Sequence, residues 1–285
     1  MATLRAGFIL LVFLLVTVVL LPVQTLLVRV PGQGWKILAH RYHRFLCWLF
    51  GVRINVVGTP AKGGALMTAN HSGWLDITVL SAAAPVSFVA KTEVGHWALF
   101  GTLARLQRTV FTRRERTKTA EDRDNIRRRL LEGDTLVIFP EGTSSDGNRV
   151  LPFRSALLSA AELPLGADTA HPVQHAKVQP VSIAYVALYG IPMGRETRPF
   201  FAWYGDMELV PHLWEALESG PIDVTVEFHP PLTIDEAGGR KALATRCEAA
   251  VRSGLVRALA GSDVKAAPPS GDEALDEETE AEEAA

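Results

Sequence analysis

The stretch Leu66-Met67-Thr68-Ala69-Asn70-His71-Ser72-Gly73-Trp74-Leu75-Asp76 brings together the side chains that a proton-transfer reaction needs. His71 follows a short apolar run, and Asp76 stands five residues later at the head of another. Residues 66–69 read as a buried strand, 70–73 as a turn and 76–83 as the first turns of a helix. Residues five apart share no face on a regular helix or strand. With His71 in the turn and Asp76 inside the helix, however, the chain doubles back and the carboxylate can take the Nδ1 proton. Nε2 is then left facing a substrate as a general base. The competing reading makes Asp76 a helix-terminus charge, paired by chance in a chain with eight histidines.

Three further constellations follow. In the run 135–147 a buried strand enters the turn Pro140-Glu141-Gly142-Thr143-Ser144-Ser145-Asp146-Gly147, which can aim backbone N–H groups and a carboxylate at a polar ligand. A plain strand-to-loop turn is its alternative. The segment 107–116 sets Arg113 and Arg114 at the end of a short strand, where arginine can grip a phosphate or carboxylate with paired N–H bonds; a solvated charge run is the alternative. Val178-Gln179-Pro180-Val181 opens a fourth strand that reads as wall rather than chemistry.

The elements that must position these residues are legible as alternating patterns. Strands are predicted at 53–57, 65–69, 87–90, 109–112, 135–139, 178–184 and 224–228, and helices at 76–83, 93–106, 120–132 and 155–162. Alternation of this kind implies an α/β fold, a mixed central sheet flanked by helices, with its site at the strand ends.

Ahead of that body, residues 6–28 carry no charge and are long enough to reach across a bilayer, although Pro22 and Gln24 interrupt the second half. A retained N-terminal membrane-anchoring helical segment is expected rather than a cleaved signal peptide, because no small-x-small site follows the apolar run. Arg29, Lys36, Arg41, Arg44 and Arg53 follow the segment while Arg5 alone precedes it, which places the body on the cytoplasmic side of the inner membrane. Residues 35–52 mix aromatic and basic side chains and read as an amphipathic helix at headgroup level, or as an ordinary core helix. Residues 261–285 read as an acidic, disordered tail.

Net charge is −2, which lacks the basic field of a nucleic-acid binder. Nine acidic residues and one lysine lie in 261–285, so the remainder holds 28 basic against 22 acidic residues and suits an anionic surface or substrate. Cys47 and Cys247 match no metal or redox spacing and read as reduced fillers.

In order, Asn70-His71-Ser72-Gly73-Trp74-Leu75-Asp76, then 111–114, then Phe139-Pro140-Glu141-Gly142-Thr143, then Val178-Gln179-Pro180-Val181 resemble the four blocks of the lysophosphatidic acid acyltransferase family. The resemblance covers roughly residues 44–228. With the apolar N-terminus, the expected domains are an anchor and amphipathic helix over 1–50 and an acyltransferase domain over 51–260; the resemblance implies transfer of a fatty acyl group from acyl-CoA or acyl-carrier protein to the hydroxyl of a lysolipid. By the same resemblance His71 is the base and Asp76 its orienter, and Asn70 supports the turn. Glu141, Gly142 and Thr143 bind the acceptor head, and Arg114, or Arg113 one residue earlier, clamps its anionic group. No metal or cofactor is required. The bilayer, the lysolipid and the thioester carrier are the implied partners.

One departure stands out. The family's third block commonly continues Glu-Gly-Thr-Arg-Ser, whereas Ser144 occupies the arginine's place here. Arg149 and Arg154 are candidates to replace that cation. The expected acceptor is 1-acyl-sn-glycerol-3-phosphate. The alternative is the lyso-ornithine lipid acceptor of a branch that this version of the blocks also resembles. A thioester hydrolase using water at the same His-Asp pair, and a membrane-tethered binding module, are the readings from other classes. A serine-nucleophile hydrolase finds no Gly-x-Ser-x-Gly elbow.

Overall fold

The computed structural model describes residues 1–112, 119–162 and 175–261. Arg113, Arg114 and almost all of the acidic tail lie outside them.

The chain runs α1 (Ala2–Arg29), α2 (Gly34–Phe50), β1 (Val52–Val57), β2 (Ala65–Ala69), α3 (Leu75–Ala83), β3 (Ser87–Lys91), α4 (Ala98–Leu106), β4 (Val110–Thr112), α5 (Thr119–Leu131) and β5 (Leu136–Ile138). It continues through β6 (Lys177–Leu188), β7 (Ile191–Pro192), α6 (Leu209–Glu218), β8 (Ile222–Phe228), α7 (Ile234–Ala237) and α8 (Arg240–Leu259). The sheet order is β1-β8-β6-β2-β5-β3-β4, with β7 pairing β6. From β6 to β4 each neighbouring pair is parallel; β8 is antiparallel to β6 and parallel to β1. The fold is therefore α/β with a mixed central sheet, as the alternation implies.

Period-two alternation along the inner strands feeds two cores. Met67, Val137 and Ile183 face one cluster with Leu75 and Val79 of α3. Leu66, Leu136 and Ala184 face the other with Ile126 of α5 and Leu243, Cys247, Val251 and Leu255 of α8. Strands buried on both faces read as continuous apolar runs, which is why β2 and β5 are short and almost wholly aliphatic.

Several elements depart from the expected pattern. Residues 93–106 split at Trp97 into a 3₁₀ turn, Thr92–His96, and α4, while Ser155–Glu162 is 3₁₀ throughout. Gly101 approaches the Gly95 carbonyl so closely that an added Cβ would lie 2.4 Å from its oxygen, so the two pieces fold against each other. Strand β6 continues through Pro180, whose missing N–H the parallel register with β2 tolerates, and reaches Leu188. Helices α6 and α8 have no counterpart among the expected elements. Pro22 does not interrupt α1, which is continuous over 28 residues.

Among the described residues α1 is the one helix long and apolar enough to cross a membrane by length and composition. It lies against the body at both ends. Near its start the Arg5 guanidinium donates to Phe50 O at 2.8 Å and to the carbonyls of Leu217 and Ser219, so one cation serves the C-terminal ends of α2 and α6. Near its end the buried Gln24 side chain donates to Trp35 O at 3.1 Å and Leu106 O at 2.9 Å. Between them Thr17 Oγ1 and Tyr42 Oη share a 2.6 Å hydrogen bond. Helix α2 returns antiparallel and packs on α3. Leu4, Phe8, Leu11, Leu15, Val18 and Leu26 remain exposed as a stripe along α1.

Replacing Arg5 by Ala strands those carbonyls and is expected to lower stability by about 1–3 kcal/mol. Thermal denaturation in detergent, with protease accessibility of α1 as the second readout, checks it; an unchanged midpoint and unchanged cleavage would contradict the clamp.

Candidate active site

Parallel neighbours β2 and β5 end side by side, in the register Leu66 with Leu136 through Thr68 with Ile138. The turn after β2 carries His71 and the turn after β5 carries Glu141, so topology alone brings the first and third constellations together. The backbone closes the junction: Ser145 N donates to His71 O at 2.8 Å.

Asp76 is fully buried in the first turn of α3. Its Oδ2 accepts from Ser72 N at 2.6 Å, Gly73 N at 3.0 Å and His71 Nδ1 at 2.8 Å, and its Oδ1 accepts from Tyr185 Oη at 2.6 Å. Every partner of this carboxylate donates, so the proton between it and His71 sits on Nδ1, and Nε2 carries the lone pair. The His71 ring is partly exposed and stacks on Phe139 at 4.0 Å between centroids and 19° between planes. Phe88 continues the stack, 6.3 Å beyond Phe139. The geometry holds the His71 ring by its Nδ1 and leaves the ring partly exposed.

Asn70 is buried and uses both ends of its amide on one residue: Nδ2 donates to Ile183 O and Oδ1 accepts from Ile183 N, each at 2.9 Å. It extends the β2–β6 ladder by a side chain and fixes the start of the turn.

Glu141 is also buried. Its Oε1 accepts from Leu151 N at 3.2 Å, and among the described residues its Oε2 has no partner. Burial is the main reason that its pKa is pushed up to about 8, and the nearby Asp76 adds to the shift. This carboxyl pins the segment after the turn from beneath. Gly142 adopts φ +73°, and the Arg154 guanidinium lies over it, 3.3 Å from where a Cβ would stand. Thr143 is exposed. Ser144 Oγ donates to Trp203 O at 2.6 Å, while Trp203 N donates to Ser72 O at 2.8 Å. One residue from a distant segment therefore bridges the two turns. Gly73 makes room for it, since a Cβ there would lie 2.8 Å from Trp203 N. The Trp203 indole meets Trp97 edge-on at 5.8 Å.

The described residues bring together His71, Asp76, Asn70, Glu141, Gly142, Thr143, Ser144 and Arg154. Arg113 and Arg114 lie outside them. Tyr185 and Trp203 escape sequence reasoning because no motif surrounds them. The only sequence signal for Tyr185 is a tyrosine hydroxyl in an otherwise aliphatic buried strand, which must find a partner. Among the described residues no three His, Cys, Asp or Glu side chains gather as a metal-ligating group.

Comparison with known proteins bears on the family and the fold. Residues 53–184 fit the family described as Acyltransferase. The lyso-ornithine lipid O-acyltransferase of Brucella abortus is 46% identical over 86% of this chain and 91% of its own length. The chain belongs to the acyltransferase family. A 1-acyl-sn-glycerol-3-phosphate acyltransferase of Neisseria gonorrhoeae is 32% identical over 69% of this chain and 72% of its own length. The crystal structure of the 1-acyl-sn-glycerophosphate acyltransferase PlsC from Thermotoga maritima shares the fold at a TM-score of 0.61 and 21% identity, covering 90% of this chain and 97% of that one. The four blocks read from the sequence thus identify an acyltransferase, and His71 and Asp76 lie where its first block runs from strand to helix.

Two outcomes follow for this acyltransferase. Asp76→Asn replaces an acceptor-only group by one that can donate, allows the wrong His71 tautomer and is expected to lower kcat by about 10²–10⁴. Tyr185→Phe removes one of four donors and should cost about tenfold or less. Steady-state acyl transfer by both variants checks this; equal losses would contradict the ranking. For Glu141, a folded-state pKa above the unfolded value of 4.5 favours the neutral carboxyl. Its contribution to stability is therefore complete below about pH 4.5 and is lost as pH rises towards and past about 8. Relative to Glu141→Gln, the wild-type melting temperature should fall between about pH 5 and about pH 9. Parallel curves would contradict the buried, neutral carboxyl.

Proposed function

We propose that this acyltransferase moves a fatty acyl group from a CoA or carrier-protein thioester to the hydroxyl of a lyso-ornithine lipid. The observation that carries the acyl-transfer chemistry is the His71 Nδ1–Asp76 Oδ2 bond with Nε2 left free. His71 Nε2 takes the proton of the acceptor hydroxyl as its oxygen attacks the thioester carbonyl. The tetrahedral intermediate then collapses, the C–S bond breaks, and the departing thiolate recovers the proton from the imidazolium. Asp76 stabilises that cation without itself accepting the proton.

The acceptor choice reverses the order of preference taken from the sequence. The relative named for a lyso-ornithine acceptor is 46% identical over nearly its whole length, against 32% over 72% for the phosphate-acceptor relative. Ser144 supports the same choice. In place of the fixed cation that a phosphate would use stands a hydroxyl already committed to Trp203 O.

Membrane attachment follows from α1. Its exposed apolar stripe enters the bilayer while Arg5 and Gln24 hold both ends to the body, an in-plane attachment that keeps the site at the lipid surface. The basic residues after α1 favour the anionic cytoplasmic leaflet of the inner membrane.

The deciding experiment offers lyso-ornithine lipid and lysophosphatidic acid side by side to the detergent-solubilised protein with one labelled acyl thioester. Preferential labelling of ornithine lipid, abolished by His71→Ala, is expected. Preference for the phosphate acceptor would overturn the head group, and thioester loss without any acceptor would turn the reaction into hydrolysis.

A further inference from the structure

Residues 144–149 form a loop seated directly on the catalytic turn. Ser145 N donates to His71 O, Ser144 reaches Trp203, and a Cβ at Gly147 would lie 3.6 Å from Ser72 Oγ. Within this loop Asp146 is half-buried, and among the described residues no lysine, arginine or histidine pairs with it. Among the described residues its carboxylate accepts from Asn148, Oδ1 from the backbone N–H at 3.0 Å and Oδ2 from Nδ2 at 3.3 Å.

Asn148 looks both ways. Nδ2 also donates to Arg195 O at 3.0 Å, and Oδ1 accepts from Arg198 Nη1 at 3.0 Å. The buried Nε of Arg198 has no partner among the described residues. A carboxylate and a guanidinium are thus held apart by one amide side chain, each with hydrogen-bonding capacity left over. Asp146 directly follows Ser145, whose backbone N–H is bonded to the carbonyl of the proposed general base. Opposite charges that pair directly neutralise one another and recognise nothing; separated by a neutral spacer, they present a dipolar template.

We propose that Asp146 and Arg198, spaced by Asn148, read the two charges of a zwitterionic amino-acid head group, the carboxylate binding Arg198 and the ammonium binding Asp146. This rests on the lyso-ornithine acceptor proposed above. A carboxylate meets the planar guanidinium through paired N–H bonds, and an ammonium meets Asp146 as a charge-assisted donor. The same pair rejects a phosphate monoester, because Asp146 repels the dianion where a fixed arginine would attract it. The departure at Ser144 and the acid two residues later are then two parts of one change of specificity.

The test measures initial rates with the solubilised full chain and two acceptors: lyso-ornithine lipid, and the same lipid with its side-chain amine acetylated. Wild type should show a KM about tenfold higher for the acetylated acceptor, a difference of about 1.4 kcal/mol. Asp146→Asn should show the same high KM for both, with kcat and the thioester KM unchanged. Arg198→Gln should raise KM for both acceptors about tenfold, with partial recovery in Arg198→Lys. Discrimination against the acetylated acceptor that survives in Asp146→Asn, or an Arg198→Gln variant with wild-type KM, overturns the proposal. If wild type acylates lysophosphatidic acid and leaves both ornithine acceptors untouched, it is the acceptor assignment beneath it that falls. Melting temperatures of the variants separate loss of recognition from loss of fold.

Discussion

The buried carboxylate of Asp76 is the interaction on which the rest of the structure depends. An ionised group with no exposed surface is costly unless its oxygens are fully bonded, and four donors meet it here. Two are backbone N–H groups of the turn, one is the base itself, and one arrives from β6. Satisfying that charge therefore fixes the turn after β2, the first turn of α3, the tilt of the imidazole and the position of β6 in one step. The order β6-β2-β5 in the sheet then places the third motif within reach, and the Phe88–Phe139–His71 stack closes the far side of the ring.

A second layer is built from backbone contacts between turns. Trp203 has its N–H and C=O bonded to Ser72 O and Ser144 Oγ, so the segment after β7 is attached to both catalytic turns at a single residue. Gly73 is required for this by proximity rather than by dihedral freedom, since the incoming main chain occupies the space of a Cβ. The turn after β2, the loop after β5 and the segment after β7 thus belong to different stretches of chain, joined through main-chain groups and a few short polar side chains.

The sequence disclosed the His71–Asp76 pair because both partners lie within one turn, where spacing and secondary structure suffice. The strands were legible for a related reason: aliphatic runs bounded by turn residues have few other uses. Partners distant in the chain were not legible. Tyr185 is 109 residues from Asp76, and Arg198 is 50 from Asn148, so nothing local marks either. Helix α8 buries a narrow stripe, Leu243, Cys247, Val251 and Leu255, in a segment otherwise rich in Ala and Arg, and such a stripe gives a weak periodic signal. In α6, Pro211 falls in the first turn, where proline is tolerated, yet in sequence it reads as a breaker. The burial of Glu141 was not legible either, because its motif marks a turn and does not say which side of the turn the carboxyl lies on.

The Arg5 clamp also bears on the order of biosynthesis. Two of the acceptors of this guanidinium, the carbonyls of Leu217 and Ser219, lie more than two hundred residues further along the chain and leave the ribosome well after it. Until they do, the start of α1 lacks the carbonyls that hold it, so its docking is a late event that waits for the end of α6 to be in place.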